Sequence, residues 1–276
     1  MAKLAKIRAD VLVVRQGLAD SREKAKRYIM AGKIYNDHQE RIDKPGEKLA
    51  ETTELSLKGD DFPYVSRGGL KLLQAIEQFN LDFSNQIVLD IGSSTGGFTD
   101  VALQHGASLS YALDVGTNQL AWKLRSDERV IVMEQTNFRY THPEDFKHGE
   151  PNIATIDVSF ISLGLILPPL YHILASDGEV AALIKPQFEA RRDKVGRKGL
   201  VRDKKVHKEI IEEVFEKANL AGFDVVNLSY SPITGGTGNI EFLMHLKPCQ
   251  NQNPGVASTI HIDSVIDEAH ELLANH

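Results

Sequence analysis

The chain has 276 residues, 42% hydrophobic and 25% charged, enough for one large α/β domain and a smaller companion. A net charge of −6 excludes wholesale coating of nucleic acid, yet residues 1–33 carry a balance of +6 and residues 185–208 one of +7. The single cysteine, Cys249, excludes a disulfide framework and a cysteine-built zinc site, and neither a membrane-length apolar run nor a signal peptide is found, so a cytoplasmic protein is expected.

In chain order, IRADVLVVRQG predicts a short helix stopped by Gly17. Asp20 and Glu23 have capping-box spacing ahead of a second helix, SREKAKRYIMAG, ending at Gly32. On it Ala25, Tyr28 and Ile29 share one face, while Arg22, Lys26 and Lys33 share another. Short strands separated by Asn-Asp and Pro-Gly turns follow to about residue 60, and DDFPYVSRGG, residues 60–69, reads as a linker. From Leu70 the pattern alternates. GLKLLQAIEQF is a helix, QIVLDIG a strand, GGFTDVALQHG a helix, SLSYALDVG a strand and NQLAWKLRSD a helix. VIVMEQ, NIATIDVSF, EVAALIK, FDVVNLSYS and IEFLMHLK are further strands, and LGLILPPLYHIL and VHKEIIEEVFEKANLAG the helices among them. This alternation predicts a doubly wound, Rossmann-like sheet, closed by an antiparallel last strand after PITGGTGN. The tail holds a polar linker from residue 249 and a final helix, IDSVIDEAHELL.

The loop in VLDIGSSTGGFTD follows a strand and opens a helix, a default anion and nucleotide site. The dinucleotide pattern fails because position 94 is Ser, and the phosphate-loop pattern fails because its lysine is Phe98. The loop of S-adenosylmethionine-dependent methyltransferases, Asp90-Ile91-Gly92-x-x-x-Gly96, fits better. That cofactor has no phosphate and carries a sulfonium and an ammonium, so acids nearby help. Asp90 is expected to receive the ammonium, directly or through water, and Gly92, Ser93, Ser94, Gly96, Gly97 and Phe98 to form the cradle. Asp114, 24 residues on at the end of the next strand, is placed for the ribose hydroxyls, and Asn137 for the adenine.

The methyl acceptor follows partly by elimination. Strand-end Asp157-Val158-Ser159 lacks the prolines usual for exocyclic-amine transfer, and carbon transfer needs a thiolate that Cys249 is badly placed to supply. An oxygen acceptor remains. A ribose hydroxyl needs a base and a firm hold, and a lysine made less basic by burial and cationic neighbours can supply both. Lys185 and Asp157 lie at strand ends, Lys71 on the entering helix and Glu241 at the last strand.

Two resemblances sharpen this reading. Arg8, Asp10, Leu12, Ser21-Arg22-Glu23-Lys24-Ala25 and Ile29-x-x-Gly32-Lys33-Ile34 resemble the S4 RNA-binding domain; a DNA-reading helix-turn-helix fits the later strands less well. The words SRGGLKL, VLDIGSSTGGFTD, IDVSFISL, LIKPQFE and GNIEF, with the order Lys71, Asp157, Lys185, Glu241, resemble the FtsJ-like RNA ribose 2′-O-methyltransferases, and residues 1–248 the TlyA-type family of so-called haemolysins. The resemblance implies an S-adenosylmethionine-dependent rRNA cytidine 2′-O-methyltransferase acting on rRNA or ribosomal subunits without a metal. Its domains would be an RNA-binding domain at 1–60, a linker at 61–69, a methyltransferase domain at 70–248 and a tail at 249–276. Lys185 would activate or hold the hydroxyl, Asp157 and Lys71 would orient it, and Glu241 would complete the network. Arg8, Arg22, Lys26, Arg27 and Lys33, with Arg191, Arg192, Lys194, Arg197 and Lys198 of the second basic island, would grip RNA. The rivals are a membrane-active haemolysin, for which LGLILPPLYHIL is short and broken by Pro168-Pro169, and a non-catalytic RNA-binding or ribosome-assembly factor.

Overall fold

Residues 6–19, 21–36, 40–57, 63–191, 194–196 and 199–273 are described by a computed structural model. They separate into two units, residues 1–67 and 68–276.

In the first unit, strand β1 (Lys6–Arg8) leads into helix α1 (Ala9–Arg15), and α2 (Arg22–Met30) is followed by strands β2 (Ile34–Asn36), β3 (Lys48–Ala50) and β4 (Leu55–Leu57). β1 pairs antiparallel with β3, and β2 with β4. Ile7 and Arg8 are therefore ladder residues rather than the first helical turn the sequence suggests. The cap of α2 also differs from expectation. Ser21, extended at φ −148° and ψ 158°, accepts from the Lys24 N–H at 3.2 Å; Asp20 lies outside the described residues. Leu12, Val13, Ala25, Ile29 and Ile34 from these elements form one buried core.

The second unit contains α3 (Gly69–Phe79), β5 (Ile87–Ile91), α4 (Gly97–Gln104), β6 (Leu109–Leu113), α5 (Trp122–Arg125) and β7 (Val130–Met133). It continues with β8 (Ile153–Ile156), α6 (Leu167–Ile173), β9 (Glu179–Ile184), α7 (Pro186–Glu189), α8 (Lys204–Leu220), β10 (Phe223–Tyr230), β11 (Phe242–Pro248) and α9 (Ile262–Leu273). The seven strands form one sheet in the order β10-β11-β9-β8-β5-β6-β7. β7, β6, β5, β8 and β9 are mutually parallel, and β11 runs antiparallel to both β9 and β10. The strand order reverses at β5, which has β6 on one side and β8 on the other; ligands bind beyond strand ends at such a point.

Side-chain alternation on β11 places helices on both faces. His245 stacks on Phe79 of α3, and Phe242, three residues away, meets His207 of α8. Two predicted helices are shorter than expected. Of NQLAWKLRSD only α5 is helical, because the Glu134 carboxylate accepts the N–H groups of Asn118, Gln119 and Leu120 and holds them as a loop. LGLILPPLYHIL splits into a 3₁₀ turn at Leu163–Leu165 and α6, whose first turn takes both prolines. No helix among the described residues is long and apolar enough to cross a membrane.

Candidate active site

The loop after β5 is shaped by glycines that admit the protein itself. Gly92 has φ +86°, and a Cβ there would come within 2.6 Å of the Asp157 carbonyl oxygen. Gly96, at φ +93°, faces the Leu120 and Leu124 side chains, with which a Cβ would collide. Gly97 and the buried Phe98 open α4. Asp90 sits behind the loop. Thr99 donates to its Oδ2 through N–H at 3.0 Å and hydroxyl at 2.7 Å, and Thr155 donates to Oδ1 at 3.2 Å. Burial pushes this carboxyl up to about 7. Asp90 is fully buried, and these hydrogen bonds tie the loop to the sheet.

A cleft of about 410 Å³ opens at the ends of β5, β6 and β8, and Gly92, Ser94, Asp114, Asn137, Asp157 and Ser159 lie on its wall. Asp114 accepts the Ser94 N–H at 2.8 Å and the Gly116 N–H at 2.7 Å, so it bridges the first two strand-end loops. Asn137 is turned by the Arg139 N–H, which donates to its Oδ1 at 3.2 Å. Ser93, Gly96, Gly97 and Phe98 shape the loop from behind this wall. Among the described residues the lining carries two carboxylates and no lysine or arginine, and Ile91, Leu113, Phe138 and Ile166 give it apolar sides. Such a wall suits a flat, cationic ligand and repels a phosphate, so the residues fit S-adenosylmethionine.

Beside the cleft, four charged side chains form one chain of contacts. Lys71 Nζ lies 2.7 Å from Glu241 Oε2 and 3.4 Å from Asp157 Oδ2. Lys185 Nζ lies 2.5 Å from Asp157 Oδ1 and donates to Ser159 Oγ at 3.1 Å. Both lysine side chains are only 10% exposed. Burial pushes the Lys71 ammonium down, but the Asp157 and Glu241 carboxylates outweigh it and the net shift is upward. Asp157 shows the converse: burial raises its carboxyl, and Lys71 with Lys185 brings it below the ordinary range. Glu241 stands one residue before β11, and a Cβ on Gly235 would fall 2.5 Å from its Oε1, so the glycine turn makes its place.

The chain matches the FtsJ-like methyltransferase family over residues 64–248 and the S4 domain over residues 7–55. It belongs to the FtsJ-like methyltransferase family. It is 55% identical to the Bacillus subtilis (strain 168) protein YqxC, whose name proposes an rRNA methyltransferase, over 97% of this chain and 95% of that one. It is 40% identical to the 16S/23S rRNA (cytidine-2′-O)-methyltransferase TlyA of Mycobacterium tuberculosis, over 87% of this chain and 89% of TlyA. A solved candidate hemolysin from Streptococcus thermophilus is 53% identical, covers 99% of this chain and 98% of its own, and superposes with a TM-score of 0.79.

Away from the cleft, the structure places the basic residues of this methyltransferase unevenly. Arg8 and Arg22 are spent partly on Asp10, donating to its carboxylate at 2.9–3.0 Å. Lys26 pairs with Glu23 at 2.7 Å, Lys33 lies over the Tyr28 ring, and Arg27 is exposed. In the second island Arg191 is exposed and Lys194 pairs with Glu209; Arg192, Arg197 and Lys198 lie outside the described residues. The sequence reading missed Ser159, which receives Lys185, and Gln187, whose Nε2 donates to Glu241 Oε1 at 3.3 Å. It also missed Glu189. Their signal was adjacency: all three stand within four residues of Asp157 or Lys185. Among the described residues no group of His, Cys, Asp and Glu is arranged to hold a metal.

Proposed function

We propose that this methyltransferase moves a methyl group from S-adenosylmethionine to a ribose 2′-hydroxyl of ribosomal RNA, a cytidine by likeness to the Mycobacterium relative, in the cytoplasm. The observation that carries the reading is the unbroken chain Glu241–Lys71–Asp157–Lys185, which ends beside a cleft suited to a cation. When bound, the cofactor supplies an electrophilic methyl on a sulfonium. Asp114 holds the ribose side of the cleft and Asn137 the adenine side. Lys185 Nζ holds the acceptor oxygen and, in its neutral form, takes the hydroxyl proton as the carbon–oxygen bond forms. Asp157 carries the ammonium that results. Lys71 stays charged and fixes Asp157, and Glu241 balances Lys71. The basic face of α2 and the island at 185–208 grip RNA phosphates and set the register.

The test is transfer from labelled S-adenosylmethionine to ribosomal subunits, with the modified nucleotide mapped by resistance of its 3′ phosphodiester to alkali. Label in an alkali-resistant cytidine dinucleotide is expected. Label on a base, or none in RNA, defeats the reading.

A further inference from the structure

Lys185 and Ser159 sit on different loops, after β9 and after β8. The strand ladder does not reach them: β8 and β9 pair from Ile153 opposite Glu179 to Ile156 opposite Ala182 and no further. The two loops are joined there by Lys185 on Asp157 and Ser159, and farther along by a buried carboxylate. Glu189, at the end of α7, is 3% exposed. Its Oε1 accepts the Leu163 N–H at 2.6 Å, and its Oε2 accepts the Ser162 hydroxyl at 2.7 Å and the Lys217 ammonium at 2.8 Å. Three donors from the post-β8 loop and α8 thus converge on a carboxylate from the post-β9 loop, a group that only accepts.

The post-β8 loop needs such a hold. Phe160 sits at φ +64°, the left-handed region, which an aromatic residue holds only where the surroundings enforce it. Its ring meets Phe188 of α7 at 4.8 Å, between the Glu189 junction and the Lys185–Ser159 contact.

We propose that Glu189 is a positioning residue for methyl transfer. Balanced by Lys217, it clamps the loop after β8 against the loop after β9, so that Ser159 Oγ stays on Lys185 Nζ and the lysine is aimed at the acceptor oxygen. The inference rests on the 2′-hydroxyl reading for the identity of that acceptor.

The full chain carrying Glu189→Gln tests it. The amide turns a donor toward Leu163 N–H or Lys217, and at least one contact is lost. Single-turnover transfer at saturating cofactor and ribosomal RNA should slow about 10–100-fold, as small misplacements of a reacting group do. Cofactor affinity by calorimetry and RNA affinity should stay within about twofold. Adding Lys217→Met removes the unpaired cation and should restore the melting temperature without restoring the rate. A wild-type rate in Glu189→Gln, or recovery of rate together with stability in the double variant, overturns the proposal. Should the wild-type protein itself transfer nothing to RNA, the 2′-hydroxyl reading fails, and the clamp is judged by acetic anhydride labelling of Lys185, read by mass spectrometry. Several-fold faster labelling in Glu189→Gln supports the clamp, and unchanged labelling overturns it.

Discussion

Each unit of this protein buries a carboxylate between two cations, and the two sites differ in which partner is hidden. In the small unit Asp10 is fully buried, while Arg8 and Arg22 keep 42% and 53% of their side chains exposed. The guanidiniums stay hydrated and fork onto the carboxylate, so the cluster is a fastening between β1, α1 and α2. In the catalytic unit the cations themselves are buried, and they are lysines, compact charges that lose more hydration when water is excluded. Fastening a sheet does not require two hidden ammonium groups. On the proposed reading, one of them faces the reacting oxygen.

Four outcomes sharpen or break this contrast. The largest concerns Lys185. Lys185→Ala should cut single-turnover methyl transfer by about 10²–10⁴-fold with cofactor affinity near wild type. Lys185→Arg should be equally slow, since arginine keeps the charge but does not release its proton. Near-normal transfer by the arginine variant would make the two clusters alike, both purely electrostatic. Next, Asp114→Ala should weaken S-adenosylmethionine binding by about 1.5–3 kcal/mol, roughly 10–150-fold, measured by calorimetry on protein shown to be folded; unchanged affinity would take Asp114 out of the site.

The third outcome is a pH effect in the small unit. The Arg8 hydrogen bonds, with Arg22, outweigh burial and hold the Asp10 carboxyl at about 2. A carboxyl depressed on folding stabilises above its unfolded pKa near 3.9, and the stabilisation is lost as pH falls toward 2. Because both guanidiniums are half exposed, solvent screening leaves about 1–2 kcal/mol of this. The gap between wild type and Asp10→Asn in denaturant titrations should therefore be clearly smaller at pH 2.5 than at pH 6; a constant gap would show that the charge is not what fastens the helices. The smallest effect is expected from Arg22→Ala with Lys26→Ala. Losing two phosphate contacts should flatten the salt dependence of RNA binding by a slope of about 1.4–1.8. Since both side chains already hold carboxylates, an unchanged slope would assign them to the fastening alone.

The strand–helix alternation, the cofactor loop and the strand-end positions of Asp157 and Lys185 were legible because each follows from local pattern: apolar period, glycine spacing, and the rule that ligands gather beyond parallel strand ends. What escaped was set by partners distant in sequence. Arg22 reads as a free cation until the fold brings α2 to Asp10, twelve residues back. NQLAWKLRSD reads as helix until Glu134, at the far end of β7, captures its first N–H groups. Glu189 is marked in the sequence only by its nearness to Lys185, since its three donors come from residues 26–28 positions away.

The reversed strand bears on how the protein is made. Lys71 and Glu241 are 170 residues apart, and the strand that fixes Glu241 must slot between β9 and β10, both of which leave the ribosome earlier. Until then β10 has no ladder partner, β9 is left as an edge, and Lys71 lacks the Glu241 carboxylate. Contacts this remote form late and slowly, and chains of this size fold through partly assembled stages. The Glu241 end of the network therefore closes as one of the last acts of biosynthesis, and a truncated or stalled chain that has already folded its cofactor loop still lacks that carboxylate on Lys71.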